Sequence, residues 1–518
     1  MLAISSAFAA DNTPLAPASR QPVREASPVD AAPKEIRDFL AAAKAADKIV
    51  DPYARCMAFP DFPGNQWPKG LVQQTCQQVY GPHITRAQIQ GLLDAGHLAE
   101  LDALYAADLA KHFLDGGFPE LIHQDYEAFD ASYESGKQSK VWLEKAPQSA
   151  FAMVARAEYF REMARTSRGG KFANEVPEEN FQRMNEFVDK AVDLYQSALK
   201  NEPRLVQAYS GMLNLGMLGS RPKLVAQSII KMKEIDPACR SIAHYRMMAL
   251  EPRWGGSYEQ MFALGAELKP FLARRPILAL DTVMPVLDMG DTLYRAKRWP
   301  DLAAGLEAIV PLSTNPDIYQ PLATAEGHVE STPPWKQLLH LVAESRFQVG
   351  STWSNWKRGN RLLWYAHDAE WALPSLTRAS KDDPDNAAIH YLLGKSYEVL
   401  DRNVEAEKEY LQSTIDTQTL YDLTTVLLNS GQIAKARQYS DQHLREYPDD
   451  PWAWYQRYHV LSVGGVSQSE LANVVAPMQK FLSMTARTTD QRLLEVRPEV
   501  QNELERIERN LHTGSAKP

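Results

Sequence analysis

Cysteine is scarce in this chain, at three residues in 518, and no apolar run approaches the roughly 20 residues that span a membrane. Basic residues are outnumbered, 56 to 65, for a formal net charge of −9. Each shortage excludes a class of function. An acidic balance leaves no basic stripe for nucleic acid, and without a long apolar run no integral membrane segment is expected. There is no GxSxG elbow, no glycine-rich phosphate loop followed by Lys-Ser/Thr, no HExxH and no zinc spacing. No catalytic residue, metal or cofactor is therefore expected. Gly169-Gly170-Lys171 comes nearest to a phosphate loop, but it lacks an upstream strand and a following Ser or Thr, and reads as a helix C-cap. His83, His97, His112 and His123 are spaced by 14, 15 and 11 residues, which puts no two on adjacent helical turns; they read as surface or capping histidines. His367-Asp368-Ala369-Glu370 sets a His beside two carboxylates at a helix-to-helix turn, where exposed polar residues are ordinary.

What the sequence does have is a repeat. Leu393-Gly394, Tyr397, Ala406 and Tyr410 stand at positions 7, 8, 11, 20 and 24 of a unit of about 34 residues. The preceding unit puts Trp356 at 4, Ala372 at 20, Ala379 at 27 and Pro384 at 32; the following one puts Leu420 at 4, Leu423 at 7, Ala436 at 20 and Pro448 at 32, and Trp454 opens a further unit. A degenerate version appears earlier, with Ala191, Tyr195, Ala198 and Pro203 at 20, 24, 27 and 32, then Tyr209 at 4 and Pro237 at 32. Small residues at 8 and 20 let two helices approach, large ones at 4, 7, 11 and 24 fill the gaps, and proline at 32 stops the second helix. One such unit cannot bury its own apolar face, so units must stack.

This spacing resembles the tetratricopeptide-repeat (TPR) superfamily. The resemblance implies an all-α, TPR-like helix-turn-helix solenoid, a right-handed superhelix that an irregular stretch could divide into two halves. In that superfamily the concave groove is lined by positions 2, 5, 9 and 12 of the first helices. Carried onto this sequence, those positions give Lys357, Tyr391, Tyr421 and Tyr455 at 5, Trp364 at 12, Lys395 at 9 and Trp452 at 2. Aromatics beside lysines suit an extended peptide or a partner helix. A narrower resemblance rests on EPRWGGSYEQM (Glu251–Met261), on ARAEYFREMARTSRGG before it, and on the N-terminal RCMAFPDFPGNQWPKG. These strings resemble an uncharacterised bacterial family of exported TPR-like domains. That likeness implies fold and export and brings no activity with it. Arg253 and Trp254, beside the Gly255-Gly256 turn, are a secondary candidate for holding an anionic or planar group; the plainer alternative wedges Trp254 between repeats and pairs Arg253 with a carboxylate.

Residues 1–10 read as the remnant of a secretory signal ending in Ala7-Phe8-Ala9, and 11–33 as a Pro/Ala-rich disordered tether. An N-terminal helical region, 34–145, follows; within it the proline-rich stretch from Asp51 to Gly81 is the least helical part and is expected to be stapled by a Cys56–Cys76 disulfide. A metal there would need two more ligands nearby. Cys239 reads as a half-buried free thiol. Residues 146–312 read as a degenerate TPR-like domain, 313–334 as a hinge, 335–512 as the regular solenoid, and the last residues as disordered. Together these features point to a non-enzymatic, periplasmic or secreted scaffold or adaptor that binds another protein. An immunity protein against a delivered toxin is the alternative, and an envelope hydrolase a more distant one.

Overall fold

A computed structural model describes residues 27–114, 118, 120–170, 175–348, 350–463 and 471–514. The signal remnant, most of the tether, Lys171 and residues 515–518 lie outside them. Among the described residues the chain is helical with no strand, and it divides into two compact units, residues 34–348 and 350–514, the second taking in residues 27–33.

The second unit is a stack of helix-turn-helix pairs. They are Thr352–Trp364 with Ala369–Asp382, Ala387–Val399 with Asn403–Tyr410, Thr417–Asn429 with Ile433–Glu446, and Pro451–Ser462 with Leu471–Met484, closed by Gln491–Gly514. The first helix of each of the first three pairs touches its own second helix and also the first helix of the next pair. Side-chain caps set the starts: Ser351, Asp368, Asn386, Asp416 and Asp450 each accept from a backbone N–H in the first turn. Residue size then sets the spacing. A Cβ on Gly394 would sit 2.7 Å from the ring of Tyr410, which is fully buried along with Ala406. At the N-terminal edge Ser27 caps a 3-10 turn, Pro28–Ala31, and its hydroxyl donates to the Tyr365 carbonyl. The end of the expected tether is thus ordered against this unit.

The first unit is built around the long antiparallel pair Ala150–Arg168 and Glu178–Asn201, followed by Val206–Leu218 and Pro222–Ile235. Ser149 caps the first of these, and Gly169, at φ +71°, ends it, so the glycine pair does act as a C-cap. Tyr133–Lys145, which carries no repeat signature, brings a fully buried Trp142 against Tyr105 and Phe129.

Two stretches expected to be irregular are ordered. Within 51–81, helices Pro52–Ala58 and Leu71–Tyr80 flank the proline-rich loop, and Cys56 and Cys76 are joined. Pro52 falls at the first helical position, where the missing N–H is an orphan anyway, and Asp51 caps it. The segment 313–334 holds a 3-10 turn, Pro316–Ile318, and the helix Tyr319–Gly327, with Ser313, Thr314 and Tyr319 fully buried. Pro316 and Pro321 fall in first turns, so they start helices rather than break them. The division between units falls instead at 349–350.

The disulfide segment ties the first unit's early and late parts together. Trp67 Nε1 donates to the Val310 carbonyl at 3.1 Å, the Thr75 and Thr314 hydroxyls meet at 2.7 Å, and Arg346 donates to the carbonyls of Cys56 and Pro60. The bridge closes a sequence separation of 20. Replacing both cysteines by alanine is expected to destabilise this unit by about 3 kcal/mol in chemical denaturation. Non-reducing peptide mapping should recover the two cysteine peptides linked; free thiols would contradict the pairing.

Elsewhere three helices are clamped by one carboxylate. Glu267 receives Arg246 at 3.0 and 2.8 Å and lies 2.8 Å from Lys233. The Arg246 hydrogen bonds, more than offsetting partial burial and helped by Lys233, bring its pKa from 4.5 down to about 2. A carboxylate depressed on folding contributes stability above its unfolded pKa that is lost as pH falls toward the folded one. The melting temperature of Glu267→Gln should lie below wild type at neutral pH, and the gap should close between about pH 4.5 and pH 2.

Candidate binding face of the second unit

Successive first helices lie side by side, so a side chain at the same position of each falls into one row. The row is aromatic at its C-terminal end. Trp452 meets Tyr421 edge-on with ring centroids 6.2 Å apart and Tyr455 at 5.5 Å, and Tyr455 continues onto His459 at 4.4 Å. Trp452 is buried, while Tyr421 and Tyr455 are half-buried. Burial lowers the His459 pKa to about 4, so the imidazole beside Tyr455 is neutral at physiological pH. At the N-terminal end Lys357 lies over the rings of Trp356 and Trp353 at 4.6 and 5.8 Å, and Trp364, the last residue of that helix, is half-buried. The two indole faces add a cation–π attraction to the ammonium.

The middle of the row departs from the sequence reading. Tyr391 and Lys395 are 6% and 7% exposed, and their polar ends turn to the next repeat. Tyr391 Oη donates to Asp422 Oδ2 at 2.9 Å; Lys395 Nζ reaches Glu398 at 3.0 Å and Asp422 at 3.3 Å; the Tyr410 hydroxyl donates to Glu398. Burial alone would lower the Lys395 pKa, but Asp422 and Glu398 reverse the effect and raise it, so the ammonium stays charged. Burial raises Glu398, with Lys395 opposing. Tyr391 and Lys395 therefore lock two repeats together. Their place in the groove motif does not reveal this, because the partner carboxylate sits 27 to 31 residues downstream.

The secondary candidate also resolves into structure. Arg253 pairs with Glu251, a nearly buried carboxylate whose pKa burial raises while Arg253 opposes. Trp254 is 50% exposed on the 3-10 turn Pro252–Trp254, so it is not wedged between repeats. Gly256 is required there, since a Cβ would sit 2.1 Å from the Leu250 carbonyl.

One polar cluster was missed altogether. His112 is fully buried, with Nε2 3.0 Å from Asp236 Oδ2, and Cys239, 2% exposed, lies against it. Burial would lower the imidazole pKa, but Asp236 and Cys239 lift it to about 10; burial would raise the thiol, but His112 and His123 bring it to about 7. His83 and His97 are exposed, as expected of them. No helical spacing could connect residue 112 with residues 236 and 239; the fold alone does.

Comparison with known proteins agrees on the repeat. A tetratricopeptide-repeat family model matches residues 361–418, which span the second helix of one pair and both helices of the next. No curated protein matches the chain. Among solved structures, the APC/C hetero-tetramer Cut9-Hcn1 is similar at 11% identity, over 92% of this chain and 98% of that one, with a TM-score of 0.30. The TPR domain of P58(IPK) is similar at 12% identity, over 66% of this chain and 98% of that one, with a TM-score of 0.24. Likenesses this shallow carry no argument; the helix pairing described above carries the assignment of an all-α, TPR-like fold.

Proposed function

We propose that this chain is a non-catalytic scaffold or adaptor of the bacterial cell envelope, and that the second unit holds an extended segment of a partner protein along its first helices. The observation that carries the reading is the Tyr421–Trp452–Tyr455 run, in which a buried tryptophan fixes two half-exposed tyrosines on adjacent repeats. Rigid, amphipathic rings of this kind give contact area at low conformational cost, and aromatic anchors dominate protein interfaces. Lys357 and Trp364 extend the row toward the N-terminal repeat. Location in the periplasm or outside the cell is supported by the Cys56–Cys76 bridge, since such bonds persist in oxidising compartments, and by the likeness of the Glu251–Met261 motif to exported domains. No described helix is long and apolar enough to cross a membrane.

The test is affinity capture with the purified chain, comparing wild type with Tyr421→Ala/Tyr455→Ala. Losing two anchors of about 2 kcal/mol each should weaken a captured partner on the order of 1,000-fold, while Trp254→Ala leaves capture unchanged. Equal capture by wild type and the double variant would remove the aromatic run from the interface.

A further inference from the structure

The first unit contains an arrangement that the binding reading does not use. His112, Glu120 and His123 each offer a ligating atom, and these atoms lie within 4.8 Å of one another. We propose that they form a buried site for a borderline divalent cation of the zinc type, bound by two imidazoles and one carboxylate.

The first argument is the carboxylate. Glu120 is 4% exposed, and its Oε1 is buried with no hydrogen-bond partner. A buried carboxylate oxygen without a donor is costly, and a cation is the group that would satisfy it. The guanidiniums nearby are engaged elsewhere. Arg240 donates to Asp281 at 3.0 Å, and Arg275 donates to the carbonyls of His112 and Leu114 at 2.7 and 3.3 Å. Around Glu120 stand Asp236, Asp281 and Arg240, with Arg275 3.9 Å from Asp236. Three carboxylates stand there against two guanidiniums.

The second argument is that both histidines carry the outer partners that ligating histidines need. A metal-bound imidazole usually donates its other N–H to a carboxylate or carbonyl, which fixes tautomer and ring plane. His112 Nε2 is held by Asp236, and His123 Nδ1 is held by the amide oxygen of Gln207. Gln207 is itself fixed, since its Nε2 donates to Glu158 at 2.7 Å. His123 Nε2 meets the Ser241 hydroxyl at 2.9 Å, and that hydroxyl lies 3.3 Å from Cys239 Sγ. A metal on Nε2 would replace the hydroxyl proton there and leave serine, thiol or water to complete the coordination.

The rings also come close. A metal about 2.1 Å from a ring nitrogen lies roughly 3.2 Å from the ring centre, so two imidazoles ligating at a tetrahedral angle have centres about 5.2 Å apart. The His112 and His123 centroids are 6.1 Å apart, at 71° to each other. Ligand atoms around zinc sit about 3 to 4 Å from one another, so the most distant pair must close by about 1 Å. Nitrogen and carboxylate donors together select zinc or its neighbours over calcium or magnesium.

The test uses the full chain, freed of metal by chelation and titrated with Co²⁺ as a spectroscopic probe, then with Zn²⁺. One Co²⁺ per chain should bind with the visible absorption of a four- or five-coordinate centre, and equimolar Zn²⁺ should bleach it. Glu120→Gln should lose the absorption while melting in chelator at or above the wild-type temperature, because the variant removes only an unpartnered buried charge. Asp236→Asn should weaken Co²⁺ binding 10- to 100-fold through loss of the outer partner. If the wild-type chain takes up no stoichiometric Co²⁺, or if Glu120→Gln binds it as tightly as wild type, the site is a polar network and the proposal fails.

Discussion

Replacing Asp422 with alanine is expected to destabilise the second unit by about 3 to 5 kcal/mol, the usual cost of stripping one partner from a buried charge pair. Asp422 is 1% exposed and receives the Tyr391 hydroxyl, the Lys395 ammonium and the Gln418 amide at 2.9, 3.3 and 3.0 Å. The alanine variant leaves Lys395, itself 7% exposed, with Glu398 alone and leaves a buried phenol without an acceptor. Tyr391→Phe removes one hydrogen bond while keeping the ring, and should cost only about 1 to 2 kcal/mol. Hydrogen exchange reads the effect locally. Protection should fall in the helices Ala387–Val399 and Thr417–Asn429 and stay unchanged in the first unit. An Asp422→Ala variant with wild-type protection would show that the cluster does not hold the repeats together.

The second large effect is expected at Glu158, in the first unit's long helix pair. Its carboxylate is 1% exposed and accepts from Tyr195 at 2.6 Å and Gln207 at 2.7 Å, with Arg161 2.8 Å away. Glu158→Ala should cost about 3 to 5 kcal/mol, since Arg161 loses its nearest carboxylate, keeping Glu162 and the Tyr245 hydroxyl, and two buried polar side chains lose their acceptor. Glu158→Gln, which still offers an oxygen, should cost about half as much. Urea denaturation compares the two. A Glu158→Ala protein within about 0.5 kcal/mol of wild type would mean the network is replaced by water at no cost.

The regular repeats could be read from the sequence because their signal is steric and local. Gly394, Ala406 and Tyr410 recur at fixed spacing because the ring of one helix fills the space left by the missing Cβ of the other, and both ends of that contact lie within one unit. The same logic exposed Ala191, Tyr195 and Ala198, each fully buried. The disulfide was legible for a related reason: two cysteines flank a proline-rich loop that needs a covalent tie. What failed was the inference from proline to irregularity. Pro52, Pro316 and Pro321 all lie in first turns, a position that composition alone does not distinguish from a break.

The row of candidate contact residues was legible in register but not in role. Sequence spacing puts Tyr391 and Tyr421 at the same position of successive units, yet Asp422 captures the first, and the second stays partly at the surface against Trp452. Only the neighbouring repeat's side chains separate the two cases. The His112–Asp236–Cys239 contacts lay further out of reach, because they join segments more than 120 residues apart through tertiary packing.

The role of the second unit is tested most directly by a photo-crosslinking residue placed at position 421 of the full chain in living cells, with position 404 as control. Tyr421 stands in the aromatic row, whereas Val404, 70% exposed, lies on a second helix. The account predicts a discrete adduct to one protein from position 421, none from position 404, and loss of the adduct when Tyr455→Ala is added. The same adducts from both positions, or an adduct from position 421 that survives Tyr455→Ala, would contradict it.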